Sequence, residues 1–390
     1  MYPPLLRLSG FLALLVGMTT GTLTAQAEGG GGTGTFDLLV GTYTSGESKG
    51  IYVFRFDAVS GNLEPLAAPA ETVNPSFLVV RPDRNFVYAV NETHGADPGA
   101  VSAFRFDPAS GSLRFLNKVP SNGDDPCYVS LSADNRTLFV ANYSSGNLSA
   151  VAVAPDGSLA GPVETLTHLE HGPNPERQKA AHVHMVQPSP DRRYLFATDL
   201  GNDRLYAYRC DAGDPGVPLT SAAPAFTAVA PGAGPRHFAF GPDGNFVYLI
   251  EEMGQAVVVF RRDGAHLEPL QTVRVAEKDW PADTGAAAIH ASPDGRFMYA
   301  SNRADANDLV IYAVAPATGL LTAVGHQSSL GVKPRDFCID PTGAFLLVAN
   351  QDSNNLVVFK RDQASGALTP VGKPLTIGSP VCLQMVTAGR

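Results

Sequence analysis

A block of about fifteen residues returns six times along this chain, and no other feature limits its fold as tightly. Each copy is an alternating apolar run, a turn of the Pro-Asp-Gly-Arg type, and a second apolar run ending in a short polar cluster. Phe77-Leu-Val-Val-Arg-Pro-Asp-Arg-Asn-Phe-Val-Tyr-Ala-Val-Asn is one copy, and equivalents start at Tyr128, Met185, His237, Ala288 and Asp336. Their turns are registered by Pro82, Ala133, Pro190, Pro242, Pro293 and Pro341, at intervals of 51, 57, 52, 51 and 48 residues. Each copy continues into a third run rich in β-branched and aromatic residues, such as Ala256-Val-Val-Val-Phe-Arg. A Gly turn and a fourth run, such as Leu267-Glu-Pro-Leu-Gln-Thr-Val, complete the unit.

Four strands per repeat and almost no helical periodicity predict an all-β, seven-bladed β-propeller of four-stranded antiparallel blades. Six blades are continuous in sequence. The seventh is split: Asp37–Tyr43, Gly50–Phe56 and Asn62–Leu66 supply three strands, and Pro380–Val386 reads as the missing first strand. Pairing the last strand with the first closes the ring and leaves no exposed sheet edge.

Upstream of the repeats, Leu8–Met18 is an apolar stretch behind the lone Arg7, followed by small residues and Ala25-Gln26-Ala27. This is the signature of a secretory signal with an A-x-A cleavage site. Expected boundaries are a signal peptide at 1–27, a Gly-rich leader at 28–35 and the propeller at 36–390, in an exported protein with no membrane contact once the signal is removed. The 28 Lys and Arg stand against 37 Asp and Glu, a net charge of −9 with no basic cluster, which excludes nucleic acid as a partner. Cys127, Cys210, Cys338 and Cys382 form no C-x-x-C pair, so buried free thiols are expected in preference to a zinc or redox site. Nothing in the chain marks an assembly state.

In such a propeller the first strand of each blade lines the central channel and the second runs back beside it. Positions six before the turn residue are therefore equivalent around the ring: Ser76, Cys127, His184, Arg236, Ala287 and Arg335. Positions nine and ten after it form a second ring at the same mouth: Asn91 and Glu92, Asn142 and Tyr143, Asp199 and Leu200, Glu251 and Glu252, Asn302 and Arg303, Asn350 and Gln351. Polar and ionisable groups converge there, which marks the candidate ligand site. Within the first strands, His237 should face away from Arg236 and His182 away from His184, while His290 should be a satisfied core group. The Asn residues after the second strands are expected to cap turns.

Gly234-Pro-Arg-His-Phe-Ala-Phe-Gly-Pro-Asp-Gly, Val247-Tyr-Leu-Ile-Glu-Glu, Ala181-His-Val-His and Ile289 to Arg303, which ends in Ser-Asn-Arg, resemble the β-propeller lactonase family of 6-phosphogluconolactonases and carboxymuconate lactonising enzymes. The resemblance spans nearly the whole chain after the leader. It implies a lactone hydrolase without cofactor or metal, acting on a small anionic or sugar lactone, with site residues at His184, Arg236, Glu252 and Arg303. Glu251 stands where the family usually has Asn. Asn142, Glu251, Asn302 and Arg335 are the candidate substrate-binding residues.

Opening a lactone requires an activated water, a partner for the developing oxyanion and a grip on the substrate's anionic part. Glu252 could be the base if its neighbouring acid or burial raises its pKa, and His184 could share proton transfer or hydrogen-bond the oxyanion. Arg236 and Arg303 offer planar forks for carboxylate or phosphate. Three alternatives stand beside this reading: a non-catalytic binding scaffold, a metal-dependent lactonase, and a structural clamp in which Glu252 only pairs with the arginines. A quinone-cofactor propeller is excluded by a single tryptophan, Trp280.

Overall fold

The computed structural model describes residue 1 and residues 34–210, 219–276 and 285–388. The expected signal peptide and most of the leader therefore lie outside the described residues, as does Trp280. The strands form seven antiparallel sheets, six of four strands in sequence order and one in which Pro380–Thr387, Thr35–Thr42, Gly50–Asp57 and Leu63–Pro65 lie side by side. A short fifth strand, Ala70–Glu71, extends this last sheet. The propeller thus begins at Thr35, one residue inside the expected leader. The chain is an all-β, seven-bladed propeller, and the ring closes as the terminal fragments predict: Asp37 opposite Val386, Leu38 opposite Met385 and Leu39 opposite Gln384. We call the split sheet blade 1 and number the rest along the chain. The first strands of the blades are neighbours in cyclic order, so they form the innermost ring.

The recurring turn has a local cause. In Pro-Asp-Gly-Arg and its variants the Asp carboxylate accepts the backbone N–H two residues on, as Asp83 does from Asn85, Asp134 from Arg136, Asp191 from Arg193 and Asp294 from Arg296, at 3.0–3.2 Å. The next position is left-handed in all six copies, from φ 59° at Arg84 to φ 72° at Gly343, which is why Gly recurs there. Second strands such as Phe86–Asn91, Thr137–Asn142 and Phe345–Asn350 are buried throughout, because adjacent blades cover both faces. Fourth strands such as Ser112–Pro120 alternate between half-buried and exposed, as outer edges should. All four cysteines are buried, and Cys127, Cys338 and Cys382 are free thiols.

Candidate functional site

Two repeated backbone devices build the site. At the end of every second strand a backbone N–H bonds the loop entering the first strand: Tyr43 to Ser379, Glu92 to Asn74, Tyr143 to Asp125, Leu200 to His182, Glu252 to Gly234, Arg303 to Gly285 and Gln351 to Lys333. Every first strand except that of blade 2 also carries a β-bulge near its start. In blade 5 Pro235 faces Glu251 while His237 faces Ile250, leaving Arg236 as the extra residue. The same geometry singles out His184, Cys127, Arg335 and Val381. A bulge re-aims its extra side chain and shifts the alternation beyond it.

Around a cavity of about 200 Å³ these devices gather Tyr43, Glu92, Cys127, Tyr143, His184, Glu252, Arg303 and Arg335, and a connector adds Arg177. Arg236 lies behind them, 1 % exposed, in an inner cleft that it shares with His184 and Arg335. Glu252 is the hub. Its Oε1 pairs with Arg177 Nη2 at 2.6 Å, and its Oε2 with Arg236 Nε at 3.0 Å and Arg303 Nη2 at 2.8 Å. Arg236 also donates to Ala287 O at 2.7 Å and Arg303 to Gly285 O at 2.8 Å, which fixes both forks.

The expectation that a neighbouring acid raises the Glu252 pKa is overturned. Burial alone would raise it, but Arg303, Arg236 and Arg177 outweigh burial and hold the carboxyl well below its ordinary range. Burial, reinforced by repulsion from Arg303 and Arg335, lowers Arg236 from 12.5 to about 9, so it remains cationic at neutral pH. Burial and the charges of Arg236 and Arg335 push His184 well below 6.5, so its imidazole is neutral and offers one N–H and one lone pair. Cys127 Sγ sits 3.8 Å from His184 Nδ1, yet burial and Glu92 drive the thiol up, which removes a Cys–His nucleophile from consideration.

Arg335 carries the open charge. Its guanidinium lies 5.3 Å over the Tyr43 ring, and among the described residues no carboxylate is within ion-pair distance of it. Four guanidiniums, those of Arg177, Arg236, Arg303 and Arg335, face the two carboxylates of Glu92 and Glu252, so the site has a positive excess suited to an anion. Among the described residues no group of three or more His, Cys, Asp or Glu could hold a metal ion.

Asn142, Asn302 and Glu251 do not join the cluster. They precede the cavity-facing residues Tyr143, Arg303 and Glu252 by one position, and consecutive strand side chains point to opposite faces. Fully buried, Asn142 Nδ2 donates to Ser121 O at 3.2 Å and Asn147 Oδ1 at 2.6 Å, and Asn302 Nδ2 to Val275 O and Asp308 Oδ1, both at 2.8 Å. These amides tie the end of the preceding blade's fourth strand to the start of their own blade's third strand, as staples between blades rather than turn caps, and they do not line the cavity. Glu251 occupies the staple position of blade 5, where burial and Asp203 raise it from 4.5 to about 7. The folded state therefore holds its proton between roughly pH 4.5 and 7, and stability falls as pH rises through that window. Glu251→Gln should melt higher than wild type at pH 8, by up to about 3 kcal/mol of stability, and match it near pH 4. Paired thermal melts at the two pH values check this; equal melting temperatures at pH 8 would contradict it.

Two histidine expectations also change. His237 is not turned away from Arg236: the bulge puts it inside, edge-on to His184 at 5.1 Å and Tyr128 at 5.4 Å. His290 is no core group but lines, with His237 and Asp336, a second cavity of about 370 Å³ and pairs with Asp336 at 3.2 Å. His182 stacks on Tyr143 at 4.4 Å, behind the site. Five residues of the cavity went unselected in the sequence, Cys127 and Tyr143 among them as ring positions that were not singled out. Tyr43 lies in the split blade, which lacks the turn proline that registers the ring. Glu92 was in the ring but unsingled. Arg177 comes from the connector at 168–182, pinned by Gln178 Nε2 to Leu200 O at 2.9 Å and Asp203 Oδ1 at 2.7 Å. The one signal for it was the long 57-residue interval between Ala133 and Pro190.

A seven-bladed ring with a cationic cavity at its inner strands is the architecture that the sequence and structure define. The chain belongs to the seven-bladed β-propeller lactonase family, a class of carboxylic ester hydrolases, whose sequence profile matches residues 37–385. It is 35 % identical to a 6-phosphogluconolactonase of Bacillus subtilis over 349 residues, covering 89 % of this chain and 97 % of that one. A Formosa agariphila 6-phosphogluconolactonase is 34 % identical over 316 residues, covering 80 % of this chain and 89 % of that protein. The solved structure of a periplasmic gluconolactonase from Pseudomonas aeruginosa superposes with a TM-score of 0.87 at 43 % identity, covering 91 % of this chain and all of that one.

Proposed function

We infer that this protein hydrolyses a sugar-acid or related lactone to the free acid at the mouth of its central channel, in an exported setting. The observation that carries this reading is the arrangement of three guanidiniums around one carboxylate hub, with a fourth, that of Arg335, and a neutral imidazole beside it. Arg335, with unpaired donors, binds the substrate's anionic substituent or its polar face. Arg303 and Arg236, already fixed by Glu252, stabilise charge developing on the carbonyl oxygen, and His184 hydrogen-bonds at the same centre without adding a cation. Export is supported by the segment at 1–27 and by the periplasmic relative.

The test is a metal-free assay of acid release from 6-phosphogluconolactone, δ-gluconolactone and muconolactones, corrected for spontaneous hydrolysis, on periplasmic protein whose first residue is read by sequencing. At least one lactone should turn over, from a mature chain starting near Glu28. Arg335→Met should raise KM for an anionic lactone about tenfold or more and leave a neutral one within about twofold. No turnover of any lactone would leave the scaffold reading standing, and an equal effect on both lactones would remove Arg335 from anion recognition.

A further inference from the structure

We propose that Glu92, not Glu252, is the general base that activates the attacking water, an inference that rests on the lactonase reading above. The two residues occupy equivalent ring positions, at the ends of the second strands of blades 2 and 5, and both line the same cavity. Their oxygens are used differently. Both oxygens of Glu252 are committed to guanidiniums, so its lone pairs are occupied and its proton affinity is suppressed. Glu92 has one neutral partner, the Tyr43 hydroxyl, which donates to Oε1 at 2.8 Å. Its Oε2 is buried and has no hydrogen-bond partner.

A carboxylate oxygen withdrawn from bulk water without a partner is unfavourable, and its lone pairs are left available to accept a proton. The backbone is held for this purpose. Asn74 accepts the Glu92 N–H at 3.0 Å and returns its Nδ2 to Glu92 O at 3.1 Å, while Thr44 N donates to Asn74 Oδ1 at 2.9 Å. Tyr43 aims the carboxylate and, with burial keeping its phenol protonated, cannot compete for the proton. Arg177, Arg303 and Arg335 line the same cavity and would receive the oxyanion.

The step balances without any further reactant. Water oxygen attacks the lactone carbonyl carbon as Glu92 Oε2 takes one water proton, giving a tetrahedral oxyanion held by the guanidiniums. Collapse breaks the bond between that carbon and the ring oxygen. The proton on Glu92 passes to the departing alkoxide, which restores the carboxylate and leaves the hydroxy acid.

Glu92→Gln should keep KM within about threefold and lower kcat by two to four orders of magnitude. In Glu92→Ala, added formate should restore rate at least about tenfold, a rescue that a purely structural role would not show. Tyr43→Phe, which leaves the acid in place, should lower kcat more modestly, by about tenfold. Because Oε2 accepts no hydrogen bond from the protein, the melting temperature of Glu92→Gln should stay near that of wild type; should it instead fail to fold, Tyr43→Phe and formate-rescued Glu92→Ala decide. Wild-type-like kcat in folded Glu92→Gln, or absence of formate rescue, overturns the assignment. An inactive wild-type protein would instead refute the lactonase reading, so the two failures are distinguishable.

Discussion

Glu252→Gln is expected to lose both activity and stability, with a melting temperature lower by on the order of 10 °C. Arg236 is 1 % exposed and the Arg303 side chain 16 % exposed, and Glu252 is the carboxylate paired with both. Removing one partner of a buried ion pair leaves an uncompensated charge, which costs about 3–5 kcal/mol. Activity falls as well, because Arg177, Arg236 and Arg303 lose the common anchor that sets their forks. A general base at this position predicts a different pattern, an inactive protein of unchanged stability. Added phosphate or sulfate gives a second readout: an anion that occupies the vacated centre binds only the folded state and should raise the variant's melting temperature more than that of wild type. Calorimetry of both proteins with and without phosphate decides. A Glu252→Gln protein that melts like wild type would show that the hub carries no structural charge balance.

Removing residues 379–390 should abolish cooperative unfolding altogether. The strand Pro380–Thr387 pairs with Thr35–Thr42 and buries Val381, Cys382 and Leu383 at 2 %, 0 % and 3 % exposure. It also bridges to both neighbouring blades. Leu383 N donates to Asp336 Oδ2 at 2.9 Å in blade 7, and Leu78 N donates to Cys382 Sγ at 3.4 Å in blade 2. Three fully buried apolar side chains at about 1.5–3 kcal/mol each represent most of a typical domain's net stability, before the opened edge of Thr35–Thr42 is counted. A single sharp transition near the wild-type temperature in the truncated chain would mean that the ring holds without its closing strand.

The architecture was legible because a propeller repeats one local instruction. The Asp of each turn, or Thr342 in blade 7, bonds the backbone two residues on, the following residue turns left-handed, and flanking runs with period-two patterning become strands; each of these is decided within a few residues. Counting from Pro242 placed Arg236 and Glu252 in equivalent rings, and counting from Pro190 and Pro293 placed His184 and Arg303. Those four do come together with Arg335. The same counting gathered Asn142, Glu251 and Asn302 as well, since a register argument locates a strand end but not which of two adjacent side chains faces inward.

What the sequence by itself determined is the ring: the number of blades, its closure by the terminal strand and the convergence of one position per blade on a common cavity. What only the tertiary structure decided is the chemistry inside it. The bulges that push Arg236 and His237 to the same side arise where adjacent strands fit together, and no residue pattern announced them. Arg177 reaches Glu252 from a connector 75 positions away, and Tyr43 meets Glu92 across 49. Two adjacent acids then take opposite states, Glu251 raised by burial without a cation and Glu252 lowered by three of them. Charge interactions act through space and depend on burial, so their sign belongs to the assembled fold, whereas turn and strand preferences act along the chain and can be read from it.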